Sequence, residues 1–74
     1  MYVSVQYFDE QANAYGGKSY TYKTDLPLVP YQKVIVPTYK GDKKAIIKEI
    51  NLPDSCVEEA WKDKLKTISE VDKG

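Results

Sequence analysis

The chain opens with strict alternation. Val3, Val5 and Tyr7 fall on one side of an extended backbone, and Tyr2, Ser4, Gln6 and Phe8 on the other. A period of two built from β-branched and aromatic residues predicts a strand over 2–8. Residues 9–17 are polar and end in Gly16-Gly17, which predicts a long, mobile loop. Alternation resumes over 18–23, with Tyr20 and Tyr22 on one face and Ser19, Thr21 and Lys23 on the other. The first two strands are expected to pair as an antiparallel hairpin, placing Tyr7, Tyr20 and Tyr22 on the inner face beside Val3 and Val5.

Residues 25–31 contain Pro27 and Pro30, which lack a backbone donor. They predict an irregular crossing segment rather than a central strand. A short strand follows over 33–37, with Val34 and Val36 on one face and Ile35 opposite. Gly41-Asp42 marks a turn over 38–42. A fourth strand over 44–50 sends Ala45 and Ile47 one way and Ile46, Lys48 and Ile50 the other, and Pro53 ends it.

Then the period changes. Ser55 and Glu58 have capping-box spacing, with Asp54 as an alternative N-cap. Val57, Ala60, Trp61, Lys64 and Leu65 follow helical spacing, predicting a helix over 56–65. Residues 66–71 read either as more helix, through Ile68 and Val71, or as a short fifth strand. The strand is the favoured reading, because a four-stranded sheet of this size leaves an open edge. The expected fold is one mainly β domain over 1–74. It is a small SH3-like bent sheet or barrel of four to five antiparallel strands with a C-terminal helix, one end plugged by Trp61.

Composition narrows the chemistry. At 74 residues the chain has room for one domain, and its 30% charged and 42% hydrophobic residues suit a folded one. A domain this small is held by roughly 4–11 kcal/mol. Cys56 is the sole cysteine and there is no histidine, so an internal disulfide is excluded and a zinc site is not expected. No cofactor is expected. No apolar run reaches membrane-spanning length, and no basic segment leads into an apolar one. The expected location is the cytoplasm, with no membrane partner. The oligomeric state is open, a homodimer included.

All eleven cations are lysine. Arginine is the preferred reader of phosphate and guanine, so its absence argues against sequence-specific nucleic-acid recognition. Net charge is zero but uneven: −1 over residues 1–32, +4 over 33–48 and −3 over 49–74.

Candidate sites are few. Gly17-Lys18-Ser19 is the tail of a phosphate-binding loop, but alanine stands at position 12 where that pattern needs glycine, and a strand follows rather than a helix. A hairpin turn is the better reading. Cys56 lies at the predicted helix start with no histidine to activate it, and reads as a packing residue. Asp54, Glu58 and Glu59 read as helix-start capping rather than as a hydrolytic or ion-binding pair. No enzyme is expected.

The seven tyrosines are the most unusual feature. Tyr2, Tyr15, Tyr31 and Tyr39 have no clear place in the core and are the candidates for a protein-binding surface. Lys33, Lys40, Lys43, Lys44 and Lys48 alternate with Tyr31 and Tyr39, and form the alternative: a nucleic-acid-binding hairpin.

Three stretches carry a resemblance: Tyr20-Thr21-Tyr22-Lys23-Thr24-Asp25-Leu26, Val34-Ile35-Val36-Pro37-Thr38, and Lys44-Ala45-Ile46-Ile47-Lys48-Glu49-Ile50. This Tyr-x-Tyr, Val-x-Val-Pro-Thr pattern over 18–50 resembles small phage and prophage proteins of Gram-positive bacteria. It is also similar to the N-terminal DNA-binding domain of the primosomal replication helicase. Where that pattern has a glycine turn before the valine strand, this chain has Pro30-Tyr31-Gln32. The resemblance implies a non-enzymatic module that docks on a host or phage protein, including as an inhibitor of a host or defence enzyme. The helicase similarity implies the alternative, a single-strand or replication-associated nucleic-acid binder. On the phage reading, the acidic segment 49–72 would act as a weak mimic of nucleic-acid charge.

Overall fold

A computed structural model of the chain describes residues 1–57 and 64–73, apart from the side chain of Cys56. Its strands are β1 (Tyr2–Asp9), β2 (Ala14–Thr24), β3 (Lys33–Thr38), β4 (Gly41–Leu52), β5 (Thr67–Ile68) and β6 (Glu70–Val71). They form one six-stranded sheet in the order β5-β2-β1-β4-β3-β6. The fold is mainly β, as the alternation requires. It differs from the expected four to five antiparallel strands: β2 and β5 run parallel, which makes the sheet mixed.

The core is the inner face of two hairpins. Val3 and Val5 from β1, Tyr22 from β2, Val34 and Val36 from β3, and Ala45 and Ile47 from β4 are buried together with Leu28 and Ile68. Burial of each larger side chain contributes about 1.5–3 kcal/mol. The two prolines keep residues 25–32 out of any ladder, so this segment crosses from β2 at one edge to β3 at the other and carries Leu28 into the core. Its end is pinned to β4, the Tyr31 N–H donating to Ile47 and the Ile47 N–H to Gln32.

Several local expectations change. The loop over 9–17 is much shorter, because β2 already begins at Ala14. The Asp9 carboxylate accepts the N–H groups of Gln11 and Ala12 at 2.9 and 3.3 Å and folds a tight reversal. Gly16 and Gly17 lie inside β2, where the register jumps from Gln6–Ser19 to Phe8–Tyr15. Gly17 has φ +83°, so the double glycine makes a bulge rather than a loop end. The second turn is Tyr39-Lys40, and Gly41 and Asp42 already belong to β4. Two further irregularities, between Tyr2 and Ser4 and between Ser4 and Val5, each add a residue to β4. The one between Ser4 and Val5 reverses the alternation beyond Ile47, so Ile50 packs on the core with it instead of facing away, and the other restores the alternation by Leu52.

The expected helix over 56–65 is corrected as far as the description reaches. Among the described residues there is no α-helix, only a 3₁₀ turn, Asp54–Cys56. Pro53 stands at its N-cap without a side-chain bond, in place of the Ser55 or Asp54 caps. Residues 58–63, with Ala60, Trp61 and both partner acids Glu58 and Glu59, lie outside the described residues, as does the packing of Cys56. Residues 66–71 are extended, as favoured, but break into β5 and β6 around Ser69. No helix among the described residues is long and apolar enough to cross a membrane.

β5 and β6 lie on opposite edges of the sheet while separated by one residue. The sheet therefore curls until β2 and β3 flank the same short segment. The barrel is not closed, since β5 and β6 belong to consecutive chain and form no ladder with each other. Side chains span the gap instead. The Tyr22 hydroxyl donates to the Pro37 carbonyl at 3.0 Å, from β2 to β3. With its proton so used, Tyr22 accepts from the Tyr7 hydroxyl at 2.7 Å. Thr24 Oγ1 donates to the Ile68 carbonyl at 2.8 Å.

Burial pushes the Tyr22 phenol well above the ordinary value of 10.0, and only the neutral phenol has the proton that it donates to the Pro37 carbonyl. The fold thus favours the neutral phenol. Its stabilisation is complete below the unfolded-state value and is lost as the pH rises above it. Tyr22→Phe should cost about 1–3 kcal/mol in urea denaturation, because it strands a carbonyl and a hydroxyl. Wild-type stability should decline as the pH climbs past about 10, and the variant should lose the part of that decline due to Tyr22.

Candidate binding surface

In an antiparallel ladder, directly paired residues share a face. The outer face of the curled sheet can therefore be read across from β2 to β3. Phe8 pairs with Tyr15, and Ile35 pairs with Lys44. Tyr7 pairs with Ala45, so one step along the ladder brings Phe8 beside Lys44. The row is Tyr15, Phe8, Lys44, Ile35. The next row holds Gln6, Ile46 and Lys33, with Ile46 paired to both of the others.

Phe8 and Tyr15 meet edge to face with ring centroids 5.1 Å apart. Both rings are half-buried, as are Ile35 and Ile46, while Lys33 and Lys44 are exposed. A hollow of about 240 Å³ lies among Phe8, Tyr15, Lys33, Lys44 and Asp72. A sheet with one face in the core normally shows polar residues on the other. Here the outer positions of β1, β3 and β4 include Phe8, Ile35 and Ile46.

The four tyrosines expected to form a protein-binding surface are not brought together. Tyr2 and Tyr15 are half-buried, whereas Tyr31 is 68% and Tyr39 86% exposed. Tyr31 precedes β3 and Tyr39 follows it, so the two exposed rings stand at opposite ends of that strand. Only Tyr15 joins the outer patch.

The five lysines are spread around the β3–β4 hairpin rather than along one stripe. Lys33 and Lys44 face outward with the patch. Lys43, paired with Val36, falls on the inner face, its ammonium 5.6 Å from the Tyr7 ring. Lys40 lies 5.6 Å from the Tyr39 ring and Lys48 5.2 Å from the Tyr31 ring. Each such contact contributes about 0.5–1 kcal/mol at an exposed site. Tyr7 also stacks on Tyr20, with centroids 4.6 Å apart, at the mouth of the open barrel.

Phe8, Ile35 and Ile46 are the patch residues that sequence reasoning does not single out, Phe8 foremost. The signal for Phe8 was its partner: Tyr15 had been assigned to a loop, because Gly16-Gly17 was read as a loop end rather than as a bulge. The Gly17-Lys18-Ser19 stretch lies within β2, with no helix after it. Among the described residues, no group of three or more carboxylates and thiols is placed to hold a metal ion.

No family model matches the chain, and neither a curated protein nor a solved structure matches it.

Gly17→Ala tests the link between bulge and patch. No atom lies within 4 Å of a Cβ at that position, so the cost is backbone strain alone. It should be about 1–2 kcal/mol by urea denaturation. The nuclear Overhauser contacts between Phe8 and Tyr15 should weaken with it.

Proposed function

We propose that this chain is a non-enzymatic binding module that docks on another protein through the outer face around Phe8, Tyr15, Ile35 and Ile46. The observation that carries the reading is that Phe8, Tyr15, Ile35 and Ile46 stand, interleaved with Lys33 and Lys44, on an outer face that a one-faced sheet normally keeps polar. Apolar side chains gathered on the outer face of a small domain mark interaction surfaces. Lys33 and Lys44 sit within the patch and favour a partner with acidic groups nearby. The phage-protein resemblance supports a setting in a bacterial cytoplasm, with a host or phage protein as the partner and a defence enzyme among the candidates. The SH3-like description enters as an analogy of shape, a small curled sheet used as a rigid platform.

A second reading is supported by two lysine–tyrosine contacts with exposed rings, Lys40 on Tyr39 and Lys48 on Tyr31. Exposed aromatic rings beside ammonium groups suit single-stranded nucleic acid, and the helicase similarity points the same way. Lys33, Lys40, Lys43, Lys44 and Lys48 would then follow the backbone.

Affinity capture from bacterial lysate, with and without nuclease, separates the two. On the first reading a stoichiometric protein survives nuclease and moderate salt. Ile46→Glu, checked for folding by circular dichroism, should weaken that capture by about tenfold or more. On the second, capture disappears with nuclease, and Lys40→Ala with Lys44→Ala lowers the salt dependence of nucleic-acid binding.

A further inference from the structure

The two edges of the sheet are unequally protected. β3 is covered by β6 at Val34 and Ile35, and its Lys33 carbonyl accepts the Asp72 N–H. Farther along β3, Pro37 has no N–H and its carbonyl is taken by Tyr22. β2 is covered by β5 at Lys23 and Thr24 alone.

The pairing with β1 identifies which groups of β2 face outward. Met1 and Thr24 exchange both bonds, the amino group donating to the Thr24 carbonyl and the Thr24 N–H to the Met1 carbonyl. Alternation then makes Val3–Tyr22 and Val5–Tyr20 bonded pairs, and turns the N–H and C=O groups of Ser19, Thr21 and Lys23 away from β1. Lys23 obeys this, its N–H donating to the Lys66 carbonyl at 3.1 Å. Ser19 and Thr21 have no backbone partner on that side among the described residues.

Three lysines stand around this short edge, and the described carboxylates nearest to them, Asp25 and Asp54, lie beyond it beside Lys23. Lys18 and Lys23 flank it and Lys66 stands beside it on the segment leading into β5. Next to it a hollow of about 180 Å³ is lined in part by Tyr20, Thr21, Leu65 and Lys66, with no carboxylate among its described lining residues. Tyr20 is 43% exposed there.

We infer that the β2 edge over 19–21 is a docking site for an extended acidic segment of a partner protein, which adds a strand to the sheet. Main-chain bonds to Ser19 and Thr21 hold the segment, and the hollow beside Tyr20 and Leu65 takes one apolar side chain. Acidic side chains on either side meet Lys18, Lys23 and Lys66. A second copy of this chain does not fit, because pairing β2 with itself brings the same three lysines of both copies together. Lysine at an edge is a usual barrier to such self-pairing. This site is separate from the outer face and stands or falls without it.

The probe is an eight-residue peptide alternating glutamate with valine, compared with one alternating lysine with valine. Binding is read by fluorescence anisotropy, and edge pairing by amide exchange in nuclear magnetic resonance. The expected result is saturable binding of the acidic peptide, with the Ser19 and Thr21 amides slowed while Tyr20 and Tyr22, already bonded to β1, change little. Lys18→Glu with Lys66→Glu, both exposed positions, should weaken the acidic peptide on the order of tenfold and favour the basic one. Four outcomes overturn the inference: no saturable binding, equal binding of the two peptides, binding without protection of Ser19 and Thr21, or protection of those amides in the free protein.

Discussion

The Tyr22 hydroxyl joins two strands that the order of the sheet keeps apart. In the sequence β2-β1-β4-β3, the first and last strands of a flat sheet would lie about 14 Å from each other. Tyr22 on β2 nevertheless reaches the Pro37 carbonyl on β3 at 3.0 Å. Residues 67–71 press the same point, pairing with β2 through β5 and with β3 through β6. Both contacts require a strong curl. The three register shifts along β1 supply it, since each bulge bends its strand and increases the local twist. Without that curl, Val3, Val5, Val34, Val36 and Ile47 would have no opposing layer to pack against.

A curled sheet this small has a crowded inside and a broad outside. Inside, the tyrosine hydroxyls satisfy one another and a carbonyl, and the cost of burying Tyr22 is offset as long as it keeps its proton. Outside, the same curvature spreads four strands into a convex platform. On it, Phe8, Tyr15, Ile35 and Ile46 remain half-buried with lysines between them. The outer patch thus depends on the inner network, because the bulge that pairs Phe8 with Tyr15 also bends the hairpin.

Lysine placement follows from the same geometry. Adjacent residues on β4 face opposite ways, so Lys43 reaches Tyr7 inside the mouth while Lys44 joins the outer patch. The basic stretch of the sequence becomes a charge distributed around a hairpin. At the other side of the molecule, Lys18, Lys23 and Lys66 stand beside residues 19–21 of β2, which no described strand covers.

Much of this was legible beforehand. Period-two alternation located β1, the latter half of β2, β3 and most of β4. It also placed Val3, Val5 and Tyr22 on the inner face and sorted the residues of β3 and β4 into two faces, because side-chain direction in a strand depends on local backbone geometry alone. Pro27 and Pro30 marked the crossing segment for an equally local reason, the missing N–H. Bulges are not local in this sense. Whether Gly16-Gly17 ends a loop or kinks a strand depends on what lies across from it, and only β1 decides that; the same holds for Ile50, turned inward by one residue extra to the β1 ladder. Strand order, the splitting of 66–71 between two edges, and the reach of Tyr22 to Pro37 were decided only by the tertiary structure. Each joins residues distant in sequence, and no spacing along the chain encodes which edges a curled sheet will bring together.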